Sequence, residues 1–151
     1  MTTVSPDIFK AYDVRGTYPD QIDEDAAYRV GRGFARVLRD LRAAGDRTLR
    51  VAVGHDMRLH SPALAQSFAR GLTDENCNVL DIGQVGTEMV YYAVGSRDMD
   101  GGVSVTASHN PKQWAGFKLL REGALPLSGD RGIPDVQRVA EQDAFSSVNG
   151  T

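Results

Sequence analysis

Apolar residues recur along this chain with two different periods, and the switches between them mark the expected elements. Ala27, Val30, Phe34, Val37 or Leu38, and Leu41 fall at helical spacing. Asp23, Glu24 and Asp25 suit the positive end of that helix, and Gly45 suits its stop. Leu49, Val51 and Val53 then alternate in a short β-rich run that ends at Gly54. Ser61-Pro62 reads as the next helix start, with the serine hydroxyl as cap and proline at the first helical position. Leu64, Phe68 and Leu72 form its buried face.

The pattern repeats downstream. Residues 78–82 (NVLDI) read as a strand closed by Gly83, and Thr87-Glu88 opens a helix running to about Val94. Residues 102–106 predict a strand, 107–115 a loop, 116–122 (GFKLLRE) a strand, and 125–128 (LPLS) a further short one. After the break GDRGIP, residues 135–145 predict a last helix. Residues 1–22 carry Pro6, Gly16 and Pro19 without periodicity and read as loop, with a short strand around 8–12. Alternating helices and strands predict an α/β fold: a three-layer α/β/α sandwich with a mixed, mostly parallel sheet. The strand at 116–122 follows its predecessor without a helix between them. A parallel crossover needs about a dozen residues, so this strand is expected to run antiparallel.

Composition narrows the partners. Of 151 residues 41% are hydrophobic and 25% charged, which suits one globular domain. The net charge of −3 supplies no global basic field, so neither nucleic acid nor an anionic membrane is expected as a partner. The single cysteine, Cys77, cannot form an internal disulfide and reads as an ordinary residue near a helix end. No apolar run approaches the ~20 residues of a membrane helix. The N-terminus lacks a signal-peptide core, so a cytoplasmic location is expected.

Polar groups concentrate in three loops that follow strands: GHDMRLHSP, DIGQVGTE and TASHNPKQWAG. In open α/β sheets such loops carry function. Ser108 is the first candidate. It reads as a turn serine, as a hydrolase nucleophile or as a phosphoryl acceptor. The hydrolase reading lacks the G-x-S-x-G elbow, and its neighbour His109 is poorly placed for proton transfer. The phosphoryl reading asks for cations, and Lys10, Arg15, Arg58 and Lys118 are candidates. It also asks for metal-binding carboxylates, of which Asp56 and Asp81 stand near strand ends. A zinc site from His55, Asp56, His60 and His109 is a competing constellation, without an H-x-x-x-H pattern behind it. The glycines of GRG at 31–33 lie inside a helical pattern and read as helix packing rather than cofactor contact.

Three stretches, in consistent order, resemble one family. FKAYDVRG at 9–16, VGHDMRLHSP at 53–62 and the stretch 101–133 (GGVSVTASHNPKQWAGFKLLREGALPLSGDRGI) are similar to the motifs of the α-D-phosphohexomutases, bacterial phosphomannomutase/phosphoglucomutase branch. The resemblance covers only the first of that family's four domains. It implies a domain at 1–145, with 146–151 beginning an interdomain linker. It implies that Ser108 carries a phosphoryl group exchanged with a hexose monophosphate through a bisphosphorylated sugar, glucose or mannose 1,6-bisphosphate. The net reaction would interconvert hexose 6-phosphate and hexose 1-phosphate. His109 would contact the transferring group, Lys118 would act as general acid/base, and Arg15 with Tyr12 would bind substrate phosphate. Mg²⁺ would take one oxygen from phosphorylated Ser108 and its other ligands from a domain absent here. The isolated domain is therefore expected to be nearly inactive, its partners being the hexose phosphate and the remaining domains. A non-catalytic binding domain on the same fold is the alternative. Two positions depart from the family pattern: Ala115 stands where Asn is usual, and His60 where a Ser is usual.

Overall fold

Helix α1 (Glu24–Leu41) starts where the acidic cluster predicts, with the Asp23 carboxylate accepting the Ala26 N–H at 2.8 Å. These and all following observations come from a computed structural model that describes residues 6–10, 13–106, 113–127 and 132–141. The other helices are α2 (Ser61–Asp74), α3 (Thr87–Ser96) and α4 (Ile133–Ala140). The strands are β1 (Val14–Thr17), β2 (Leu49–His55), β3 (Cys77–Gln84), β4 (Gly101–Val105), β5 (Trp114–Arg121) and β6 (Leu125–Pro126).

The strands form one sheet in the order β1-β5-β4-β2-β3, with β6 on the β5 edge. β2 pairs in parallel with β3 and β4, while β5 pairs antiparallel with β4, β1 and β6. Only β5 therefore runs against the rest, as its short connection to β4 requires. Helices α1, α2 and α4 share one core with Val51, Val53, Val103, Val105, Phe117 and Leu119. Helix α3 packs on the opposite face against Ala52 and Leu120. This is the expected three-layer α/β/α arrangement.

Three expectations are corrected. The N-terminal strand lies at Val14–Thr17, not around 8–12; Pro6–Ile8 form a 3-10 turn. The short VRGT segment has too little apolar alternation to announce itself, and it is a strand because β5 offers it an edge. Strand β3 does not stop at Gly83 but runs on to Gln84, past a register shift at Val53/Gly54 that Gly83 accommodates with φ of 79°. Ser61 does not cap α2: His60 holds the cap position without a side-chain bond, and the Ser61 hydroxyl donates instead to Asp56.

The glycines in α1 do serve helix packing. A Cβ on Gly31 would stand 2.4 Å from the Phe68 carbonyl oxygen, and one on Gly71 2.4 Å from that of Tyr28. Both obstacles are backbone, so α1 and α2 would have to separate. Aromatic contacts continue the same seam, with Phe34–Phe68 centroids 6.0 Å apart and Phe68–Phe117 5.1 Å apart.

Asp100, 3% exposed, anchors the start of β4. Its carboxylate accepts from Arg42 Nε at 2.9 Å, Arg47 Nη2 at 3.0 Å and the Arg50 N–H at 2.8 Å. Burial pushes its pKa up, but the Arg47, Arg50 and Arg42 hydrogen bonds outweigh burial and leave it below the usual carboxylate range.

Two stability predictions follow from these contacts. Gly31→Ala gains up to ~1 kcal/mol of helix propensity, yet the clash with fixed backbone is larger, so urea unfolding should show a net loss of about 2 kcal/mol. Asp100→Asn should cost about 2 kcal/mol at neutral pH. Because the folded-state pKa is depressed, that difference should be fully present above the ordinary carboxylate pKa of ~3.9 and shrink as pH falls below it. Thermal unfolding of both proteins across pH checks the sign.

Candidate active site

Strand β5 carries Lys118, and its period of two decides where Lys118 points. Phe117 and Leu119 enter the α1/α2/α4 core, so Lys118 lies on the α3 face, in register with Ser104 of β4. The same face receives Thr87 of α3, whose hydroxyl lies 3.2 Å from that of Ser104. On the other side of β5, Val14 pairs with Phe117 and Arg15 with Gly116. Val14 is in the core, so Arg15 shares the face of Lys118. The structure thus brings Arg15 and Lys118, 103 positions apart in sequence, onto one face of neighbouring strands. Asp13 connects them: its carboxylate pairs with Arg15 Nε at 3.1 Å, and it lines an open pocket of about 350 Å³ with Lys118, Tyr91, Leu120 and Pro126.

Tyr12, Ser108 and His109 lie outside the described residues. The chain on either side of 107–112 is nonetheless fixed. Thr106 N–H donates to the Gly116 carbonyl at 2.9 Å, the last described rung between the β4 and β5 segments. Tyr18 N–H donates to the Gln113 carbonyl at 2.7 Å.

The loop after β2 is organised by Asp56. Its N–H donates to the Val105 carbonyl at 3.0 Å. Its carboxylate accepts the Arg58 N–H at 3.1 Å and the Ser61 hydroxyl, and pairs with the Arg58 guanidinium at 3.4 Å. Arg58 also donates to the Trp114 carbonyl at 3.3 Å, so this expected phosphate cation is built into the loop's own framework. His60 Nε2 stands 2.9 Å from the same carbonyl, while its ring stacks on Tyr18 at 4.6 Å and 16°. Sequence reasoning named His60 as a zinc candidate and as a departure from the family pattern, and did not single out Tyr18, Trp114 or Asp13. The contacts of His60 with Tyr18 and Trp114 span more than 40 positions and leave no local signal, whereas Asp13 meets Arg15 two positions on.

The proposed metal ligands do not converge. Asp81 Oδ1 accepts the Gly83 N–H at 2.8 Å on the exposed end of β3, and Asp56 is committed as described. His55 Nδ1 faces the Asp56 carbonyl at 3.0 Å. Among the described residues no group of three or more His, Cys, Asp or Glu side chains could hold a metal ion. These residues therefore do not fit a Mg²⁺ site by themselves. Cys77 lies just past the end of α2, as expected, and is the buried first residue of β3. Burial pushes its thiol up to about 12, so it stays protonated and unreactive near neutral pH. No described helix is long and apolar enough to cross a membrane.

Residues 6–145 match the family described as "Phosphoglucomutase/phosphomannomutase, alpha/beta/alpha domain I". The chain belongs to that family. It is 48% identical over 140 residues to the phosphomannomutase of Vibrio cholerae, covering 93% of this chain and 30% of that protein. It is 46% identical over 141 residues to a phosphomannomutase of Klebsiella pneumoniae, covering 93% of this chain and 85% of that sequence. The crystal structure of a phosphoglucomutase/phosphomannomutase family protein from Burkholderia thailandensis superposes with a TM-score of 0.83 at 34% identity, over 95% of this chain and 32% of that one. The chain thus spans about 30% of the length of the Vibrio relative.

Removing the Asp56 carboxylate from this mutase domain strips the loop after β2 of its acceptor. Asp56→Ala should lower stability by about 1–2 kcal/mol. Circular dichroism melts should show the fold retained at room temperature and the midpoint lowered.

Proposed function

We propose that this chain is the phosphoryl-carrying N-terminal domain of a phosphomannomutase/phosphoglucomutase that interconverts hexose 6-phosphate and hexose 1-phosphate. The single observation that carries this reading beyond family membership is the placing of Lys118 and Arg15. They lie on one face of adjacent strands beside a pocket, and the β4–β5 ladder reaches Thr106, two residues before Ser108.

In this reading Ser108 holds a phosphoryl group as a stable ester. The group leaves the serine oxygen for a hydroxyl of the bound hexose monophosphate, giving the glucose or mannose 1,6-bisphosphate. The sugar then presents its other phosphate, and the reverse transfer restores phosphoserine. Lys118 manages the proton of the reacting sugar hydroxyl, and His109 contacts the transferring group. Arg15, with Tyr12, binds phosphate oxygens; a guanidinium suits that task because its fork of donors matches phosphate geometry. Phosphoryl transfer of this kind rests on positioning and electrostatic stabilisation rather than on an activated nucleophile. A Mg²⁺ ion would supply charge neutralisation at the phosphate, with phosphorylated Ser108 giving one oxygen and the rest of the enzyme the remainder. The remaining domains and the hexose phosphate are thus the partners, and a cytoplasmic location suits that substrate.

Ser108→Ala in the whole enzyme should abolish mutase turnover and remove one phosphoryl group from the intact mass of this domain. Lys118→Ala should lower kcat by about 10²-fold, the usual weight of one general acid/base. A Ser108→Ala enzyme that still interconverts the two hexose phosphates would defeat the reading.

A further inference from the structure

We propose that His60 is a positioning residue for the reaction, acting through its hydrogen bond to the Trp114 carbonyl at the start of β5. The proposal rests on the reading of Ser108 and Lys118 above and extends it to a residue that the reading does not use.

Along a strand, successive carbonyls point to opposite edges. On β5 the Gly116 carbonyl faces β4 and accepts the Thr106 N–H at 2.9 Å. The next carbonyl on that edge, two residues toward the N-terminus, is that of Trp114. Gln113 faces the opposite edge, where it accepts the Tyr18 N–H. The last β4–β5 rung between described residues is that from Thr106. A half-buried strand carbonyl needs a donor. His60 Nε2 supplies one at 2.9 Å and Arg58 Nη1 a second at 3.3 Å, filling the two lone pairs.

The acceptor is a carbonyl, so Nε2 carries the proton, and the neutral imidazole already serves as donor. The ring is held from the other side by Tyr18, stacked at 4.6 Å. Tyr18 is held in turn: its hydroxyl bonds Glu24 in the first turn of α1, which keeps the phenol's pKa raised. A continuous path therefore runs from α1 through Tyr18 and His60 to Trp114. Trp114 is the first residue of the strand that carries Lys118 and lies six positions after Ser108. His60 fixes the start of β5, the strand that follows the phosphoryl-carrying serine in the chain. Asp56 and Arg58 build the same loop, but His60 alone brings a rigid ring whose far side is also fixed.

The test uses three forms of the whole enzyme. His60→Phe keeps a ring against Tyr18 and removes the donor; His60→Gln removes the ring and keeps an amide donor. We expect kcat to fall about tenfold in His60→Phe with KM for the hexose phosphate within about twofold, a small misplacement being enough for such a loss. In His60→Gln kcat should return to within about threefold of the parent, because the donor is restored. Amide exchange at 113–118 should be faster in His60→Phe and near normal in His60→Gln. A folded His60→Phe enzyme with parental kcat overturns the proposal, and so does equal impairment of the two variants. If His60→Phe does not fold, His60→Ala is read in the same way; failure of both to fold also rejects it, since the role is then to hold the domain together. Ser108→Ala measured alongside separates the two readings. An active Ser108→Ala enzyme defeats the mutase reading itself, whereas an inactive one beside a fully active His60→Phe defeats only the role of His60.

Discussion

Everything that bears on chemistry in this domain depends on the register of β5. Phe117 is fully buried, with its ring 5.1 Å from Phe68, and Ala115 and Leu119 enter the same core. A slip of one residue would turn these side chains to the opposite face and place the Lys118 ammonium among aromatic rings. The apolar burial lost would amount to roughly 2–3 kcal/mol for Phe117 alone, and the buried ammonium would cost more. The register is therefore set by the core, and the position of Lys118 follows from it. Arg15 is placed by the same constraint, because β1 docks on β5 with Val14 opposite Phe117.

The cations divide into two groups. Arg42 and Arg47 surround the Asp100 carboxylate, Arg32 lies 2.6 Å from Glu75, and Arg58 is committed to Asp56 and Trp114. These hold loops and helix ends in place. Arg15 pairs with Asp13 yet keeps 39% of its side chain exposed, and Lys118 lines the pocket beside that pair. A net negative chain can in this way present positive groups at one sheet face, since local arrangement rather than total charge sets the field there. Among the described residues, most arginines thus serve the framework, while Arg15 and Lys118 stand beside the pocket.

The sequence was most informative where structure is local. The Asp23 cap, the acidic first turn and the 3.6-residue period of α1 all lie within one segment, and the segment is a helix. The reversal of β5 was readable because connection length alone requires it. VRGT was not readable as a strand, since its identity comes from an edge created about 100 residues later. The cap of α2 was misread for a related reason: a serine before proline is a good cap in isolation, but Asp56 claims its hydroxyl. Of the site, the order of the three motifs revealed the family. The contacts of His60 with Tyr18 and Trp114 are tertiary, and no spacing rule announces them.

Those contacts bear on how a sheet can end without cost. β1 and β5 continue pairing to Thr17–Trp114, two residues beyond the last rung between Thr106 and Gly116. A buried unpaired carbonyl costs about 1–3 kcal/mol. Water could serve, but a water gives way as readily as it comes. Two side chains from the next loop fill the place instead, one of them a ring wedged against a tyrosine. The Trp114 carbonyl is thus bonded from a neighbouring loop at the start of the strand that bears Lys118. A ring held between Tyr18 and the Trp114 carbonyl ties β5 to the first turn of α1, so the core that sets the register of β5 and the loop that holds its start act on the same strand.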